Sequence, residues 1–431
     1  MSQDAEHKST FFRQSGWLMI ANVLGGVFML GVHFLSKKIP EAEYGTVAKL
    51  IAATIIIPTI PLQMVFAREA AAALATDHMR AFVGMVRKTL AGLVVLWAVF
   101  TIGLLLVQGS ILELWKISDP MTLWLFLVVM LGSLVMPVFM GTLQGQQNFL
   151  WLGFVMILNA ALRLAVGGLL VFLVTPTASG VMAGLVGAAV ICTAIAMWQT
   201  RALWTGPSDP FPVVPFLKQI IPLMIGFGTC QFLFSADTIF VGRFFSAEQT
   251  GYYGAAGTLS RALMWLVLPL AAVMFPKLVH SAAKAQKTNL LTVTLVSTGA
   301  LCLVGAIGLT IVGPLAVKIV YTQNYVGPAT AIIPWYAGAM IPLSVANVLV
   351  NSLLARKDFR VVPWMAIIAV AYGVTLALLG PQAGASGVTG LGMILKTMAG
   401  FTTLLFLICS YYTWRPPAQP KPVETSVIAS A

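Results

Sequence analysis

Twelve runs of about 20 apolar residues follow one another along this chain, and no polar stretch long enough to make a soluble domain separates them. They cover residues 16–35, 46–66, 89–108, 121–142, 149–174, 181–200, 216–240, 252–275, 290–312, 329–353, 361–379 and 387–412. Each is long enough to cross a bilayer as a helix. A transmembrane β-barrel would show segments of about 10 residues with alternating hydrophobicity, and these runs do not alternate. Only 9% of residues are charged, against about 25% in soluble domains, so no folded form could coat itself with a polar surface. The expected fold is an all-α polytopic membrane protein. Inside lipid, helices satisfy their own backbone polar groups. Pro58, Pro61, Pro137, Pro269, Pro334 and Pro342 lie inside spans and are expected to kink them.

The formal net charge of +12 reads as topology rather than as a nucleic-acid surface. With a cytoplasmic N-terminus, sixteen of the 25 Lys and Arg fall in inner loops and tails. Only Lys37, Lys38, Lys116, Arg243 and Lys318 fall outside. That bias is expected of a chain with both termini in the cytoplasm. The polar start runs into a span too long for a cleavable signal. Cys192, Cys230, Cys302 and Cys409 sit in different spans, with no CxxC metal motif, and read as buried free thiols.

Two pairs of short motifs divide the chain. "TLQGQQNF" (142–149) follows the fourth span and "SLLARKDF" (352–359) follows the tenth, an offset of 210. "PEAEYGTVAKL" (40–50) and "SAEQTGYYGAA" (246–256) align Gly45 on Gly251, an offset of 206. An even number of spans separates the members of each pair, so the halves are parallel repeats. The expected organisation is a six-helix lobe over residues 1–208, a second over 209–412, and a disordered cytoplasmic tail over 413–431. The proline-rich "TGPSDPFPVVP" (205–215) is the linker. Repeated halves around a midplane site are common in secondary transporters.

Lys49, Arg163, Arg261 and Lys396 lie within spans. A charge at mid-bilayer costs about 2.5–3.5 kcal/mol on insertion scales, so such residues face an interior or water. Arg163 is deepest, 14 residues into its span, or about 21 Å at the helical rise. Of the 13 Asp and Glu, only Asp237 falls within a span. It is a candidate ion site or a structural partner for Arg243. One acid cannot neutralise four cations, so the counter-charge is expected to arrive with an anionic ligand. A phosphate or pyrophosphate suits guanidinium, which grips two oxygens at once. Asn159, one turn before Arg163, adds a donor but no charge.

"GTLQGQQNF", "SADTIFVGRFFSAEQTGYYGAAGTLSRAL", "MFPKL" and "LLARKDF" together resemble the polysaccharide transporter branch of the MOP superfamily, which includes Wzx-like O-antigen flippases. The resemblance runs from Phe11 to Tyr412. It implies two six-helix lobes that alternate between inward and outward openings and move polyprenyl-pyrophosphate-linked oligosaccharide to the periplasmic leaflet. It implies a lipid-linked glycan and membrane lipids as partners, with other polysaccharide-assembly proteins, and no cofactor. Lys49 and Arg261 resemble the cationic cavity positions of related lipid II flippases. The chain lacks the two additional C-terminal helices of that type, which disfavours a peptidoglycan precursor. A multidrug extruder of the same superfamily is the first alternative, but it needs a carboxylate in the N-terminal lobe. A membrane glycosyltransferase, polymerase or ligase is the second, but the outer loops are short and offer no acid-base pair. No P-loop supports an ATP-driven pump.

Overall fold

The computed structural model describes residues 2–57, 59–174, 176–264, 290–356 and 358–415. These residues form fourteen α-helices. These are α1 (Ser2–His33), α2 (Glu41–Ile56), α3 (Thr59–Thr76), α4 (Met79–Leu106), α5 (Gln108–Leu114), α6 (Pro120–Gly145), α7 (Phe149–Leu173), α8 (Ala178–Gln199), α9 (Val213–Phe244), α10 (residues 247–264), α11 (Leu290–Val320), α12 (Gln323–Ala355), α13 (Val362–Ala385) and α14 (Val388–Trp414). Among the described residues, eleven spans are long and apolar enough to cross a membrane. They match the expected spans one for one except the eighth, whose second half lies outside the described residues. Pro58, Pro269, Lys357, "MFPKL" and both chain ends also lie outside them. Pro137, Pro334 and Pro342 sit inside continuous helices. The expected second span is two helices, because the chain leaves helical geometry at Ile57. All four cysteines are free and buried.

The two loop motifs turn out to be one device used twice. In the first, Gln146 N donates to Thr142 O and Asn148 N donates to Leu143 O. In the second, Arg356 N donates to Ser352 O and Asp358 N donates to Leu353 O. The side chain of Asn148 then accepts from Trp151 N at 3.5 Å, and that of Asp358 accepts from Arg360 N at 3.4 Å. Ending one helix and capping the next needs an Asx residue at that spot, and this keeps the motif legible in both halves.

The described residues gather into two compact units. One holds residues 2–40 and 57–224, the other residues 41–56 and 225–415. In the first unit, α7 packs along α8 and α1, and α6 packs on α3 and α8. Phe66, Phe82, Phe139, Leu143 and Val155 are fully buried there. The chain after α8 is strapped to α4. Arg87 donates to Trp204 O and Thr205 O, and Asp209 N donates to Arg80 O. In the second unit, α12 packs on α14 and α11, and α13 on α14.

Helix α2 belongs to the second unit although it is coded with the first half. A Cβ on Gly45 would fall 2.4 Å from Ala247 O, and one on Gly251 would fall 2.9 Å from Glu41 O. Glu41 and Ala247 are themselves an aligned pair at offset 206. The contact is therefore isologous, each helix offering the other the same patch, as a twofold relation requires. Only glycine permits backbones this close.

Candidate functional site

Arg163 sits on α7 in the first unit, beside the point where α8 comes closest. That approach depends on Gly184, where a Cβ would lie 2.4 Å from Gly167 Cα and 3.1 Å from Arg163 O. The guanidinium, drawn close to α1, has poor acceptors. Its Nη1 points at Met29 Sδ at 3.7 Å, and its Nε is buried with no partner. One turn earlier, Asn159 Nδ2 points at Met136 Sδ at 3.8 Å. A thioether is only a weak acceptor. Arg163 enters no ion pair among the described residues, and it is the one charged side chain there with a buried unpartnered donor. Leaving a buried charged donor unmade costs more than burying a neutral one. The spot is a cation with a helper donor and no acid, a combination that favours an anionic oxygen.

Arg261 has the opposite surroundings. It projects from α10 in the second unit and is 7% exposed. Its Nε donates to Phe234 O at 2.8 Å, and its Nη2 donates to Asp237 Oδ1 at 2.9 Å and Thr238 Oγ1 at 2.8 Å. The rings of Phe234 and Tyr336 lie 5.4 Å and 5.3 Å from its Cζ. Asp237 Oδ2 accepts from the hydroxyls of Tyr253, at 2.8 Å, and Tyr336. Charge and hydrogen bonds are therefore matched inside one closed network.

This corrects the expected pairing of Asp237 with Arg243. Six residues apart on one helix, the two side chains point to different faces. Arg243 is exposed beside the Phe244 ring. Lys49 is 2% exposed. Its stem crosses α9 so closely that a Cβ on Gly242 would lie 1.8 Å from Lys49 Cδ. Lys396 is exposed on α14. Of the expected cations, Arg163 thus stands in the first unit, and Lys49, Arg261 and Lys396 stand in the second.

The placement of every acid except Asp237 outside the spans misses Glu69. It is 0% exposed in α3. Arg68 Nη2 lies 2.7 Å from Glu69 Oε1. The adjacent "RE" within an alanine-rich helix was the available signal, since a neighbouring pair of opposite charges lowers the cost of burying either.

A family described as polysaccharide biosynthesis protein matches residues 11–282. No curated protein matches the sequence. Among solved structures, the chain is similar to an inward-facing MATE multidrug resistance transporter of the MOP superfamily, with a TM-score of 0.70, 11% identity and coverage of 91% of this chain and 93% of that one. It is similar to the lipid II flippase MurJ in an inward closed conformation, with a TM-score of 0.68, 13% identity and coverage of 91% and 87%. It is also similar to a point mutant of the Vibrio cholerae MATE transporter VcmN, with a TM-score of 0.63, 13% identity and coverage of 94% and 97%. At these identities the likeness is one of fold.

Proposed function

Because this chain belongs to the polysaccharide biosynthesis protein family, within the polysaccharide transporter branch of the MOP superfamily, we propose that it is a flippase for polyprenyl-pyrophosphate-linked oligosaccharide. It moves its substrate from the cytoplasmic to the periplasmic leaflet of a bacterial inner membrane by alternating access, in surface polysaccharide biosynthesis. Both termini lie in the cytoplasm. The fold it shares with transporters and a flippase supports the transport reading.

The observation that carries the substrate class is the guanidinium of Arg163, which has no acid beside it among the described residues, an Nε without a partner and only a thioether for its Nη1. Its buried Nε and its Met29 contact leave donors for a pyrophosphate oxygen, and Asn159 adds another one turn away. Lys49, buried against α9, and Lys396, exposed on α14, stay as further proposed substrate contacts within the second unit. Arg261 is less available, because Asp237 already holds it. With the cell interior negative, each negative charge carried outward gains about 2.3 kcal/mol per 100 mV.

A cation extruder would need a free carboxylate in the first unit. The buried one there, Glu69, is paired with Arg68. Mass spectrometry of lipid retained by the purified protein tests the reading. A polyprenyl-pyrophosphate glycan should accompany the native chain and be lost from Arg163→Ala. Retention of the same lipid by that variant would remove Arg163 from the site.

A further inference from the structure

The turn that ends α6 accounts for Asn148 but not for Gln144. At the offset of 210, the counterpart of Gln144 is Leu354. Leu354 is 4% exposed and packs on α9, where a Cβ on Gly226 would lie 2.7 Å from its Cδ1. Gln144 is exposed instead, and Gln63 Nε2 on α3 donates to its Oε1 at 3.1 Å. One half thus carries a packed leucine where the other carries a carboxamide turned toward a second carboxamide.

The two helices do not need this bond to stay together. A Cβ on Gly141 would lie 2.3 Å from Gln63 O, and one on Gly145 would lie 2.5 Å from Ala67 O. Backbone therefore meets backbone along the crossing, and Phe66 is fully buried beside it. The glutamine pair stands at the margin, with Gln63 part-exposed. Whichever way the amides are turned, their one shared hydrogen bond leaves a carbonyl and most of the N–H groups unused. The pair carries no charge, so it suits a neutral ligand whose groups both donate and accept. Sugar hydroxyls are such groups.

Its distance from Arg163 fits a glycan. Met136, also on α6, lies 3.8 Å from Asn159 Nδ2, one turn from Arg163. Gln144 is eight residues further along α6, or about 12 Å at the helical rise and within a quarter turn in rotation. All of these residues belong to the first unit. A pyrophosphate held at Arg163 would bring its first sugars to Gln144 when they extend along α6 toward the turn.

We propose that Gln63 and Gln144 form a sugar subsite that takes hydroxyls of the glycan near the pyrophosphate. The proposal rests on the flippase reading above and deepens it. Arg163 meets the phosphates, which every polyprenyl pyrophosphate carries. The carboxamide pair distinguishes a loaded carrier from a bare one.

The test is binding to the purified protein in detergent, with two probes. One is bare undecaprenyl pyrophosphate, and the other is the same lipid carrying a disaccharide of N-acetylglucosamine. The native chain should bind the glycosylated probe about threefold to tenfold more tightly, the worth of a neutral hydrogen bond. Gln144→Leu, which installs the residue of the second half, should lose that preference and keep the native affinity for the bare probe. Its melting temperature should not fall. Gln63→Leu, on the other helix, should behave alike and carries the test if the first variant fails to accumulate. Arg163→Ala should weaken both probes equally. A native chain without the preference, or a folded Gln144→Leu that keeps it, would overturn the subsite and leave the flippase reading in place. A lowered melting temperature with the preference kept would make the pair a tie between helices. A native chain that binds neither probe would overturn the flippase reading, and the subsite with it.

Discussion

Arg261 Nη2 and Asp237 Oδ1 stand 2.9 Å apart, joining α10 to α9 across 24 residues of sequence, with Asp237 fully buried and Arg261 nearly so. The pair meets its desolvation cost with charge and with hydrogen bonds to both carboxylate oxygens. A closed network of this kind contributes most when intact and harms most when halved.

Removing one partner should therefore cost more than removing both. Asp237→Asn leaves a buried guanidinium uncompensated and should lower stability by about 3–5 kcal/mol. Asp237→Asn with Arg261→Gln should recover much of that loss, because no net charge is left buried. Thermal unfolding in detergent checks both. A double variant no more stable than Asp237→Asn would show that the pair is not the source of the cost.

Gly184 sets how near α8 comes to α7 beside Arg163. Gly184→Val should force the helices apart against the Gly167 backbone and cost about 1–3 kcal/mol. A Cβ on Gly92 would meet nothing within 4 Å, so Gly92→Ala should be neutral or stabilise by up to about 1 kcal/mol through helix propensity. Equal melting temperatures for the two variants would contradict the close-packing account.

Asp358 caps the turn before α13. Hydrogen bonds from Arg360 hold its carboxyl below the ordinary value of 3.8. A folded-state pKa depressed in this way contributes stability above the unfolded value and loses it as pH falls through the folded one. Below about pH 4 the native chain should lose stability at this turn, and Asp358→Asn should remove that part of the acid dependence. Hydrogen exchange at residues 359–361, followed against pH in both proteins, reads it. Identical profiles would contradict the assignment.

How much of this was legible in the sequence differs from feature to feature. Span length and lack of alternation are imposed by the bilayer itself, so the helical class was plain. The repeat showed through Asn148 and Asp358 because a cap restricts residue type locally. The partner of Asp237 did not show, because side-chain pairing between helices depends on rotation about each axis, which spacing along one helix does not report. Glu69 was missed because adjacency shows that Arg68 can pair with it but not which of the two turns inward, and it is Glu69 that is buried while Arg68 is exposed. The transfer of α2 to the second unit left only a faint trace. Gly45 and Gly251 align at an offset of 206, but alignment along the chain carries no information on whether they touch. Nor does the proline-rich composition of the linker region show its anchorage, in which Arg87 binds the backbone at Trp204 and Thr205 to α4.

In the proposed function, Arg163 receives the anionic headgroup of a lipid-linked glycan. Delivery of polyprenyl-pyrophosphate-linked oligosaccharide across proteoliposome membranes, normalised to protein, tests it most directly. Arg163→Ala should fold normally, since removing a half-buried cation that has no ion pair among the described residues relieves a cost, yet it should slow delivery about tenfold to a hundredfold, the worth of a charge-assisted hydrogen bond. Arg163→Lys should restore part of the rate, keeping the charge without the fork. Delivery by folded Arg163→Ala at the native rate would contradict the account.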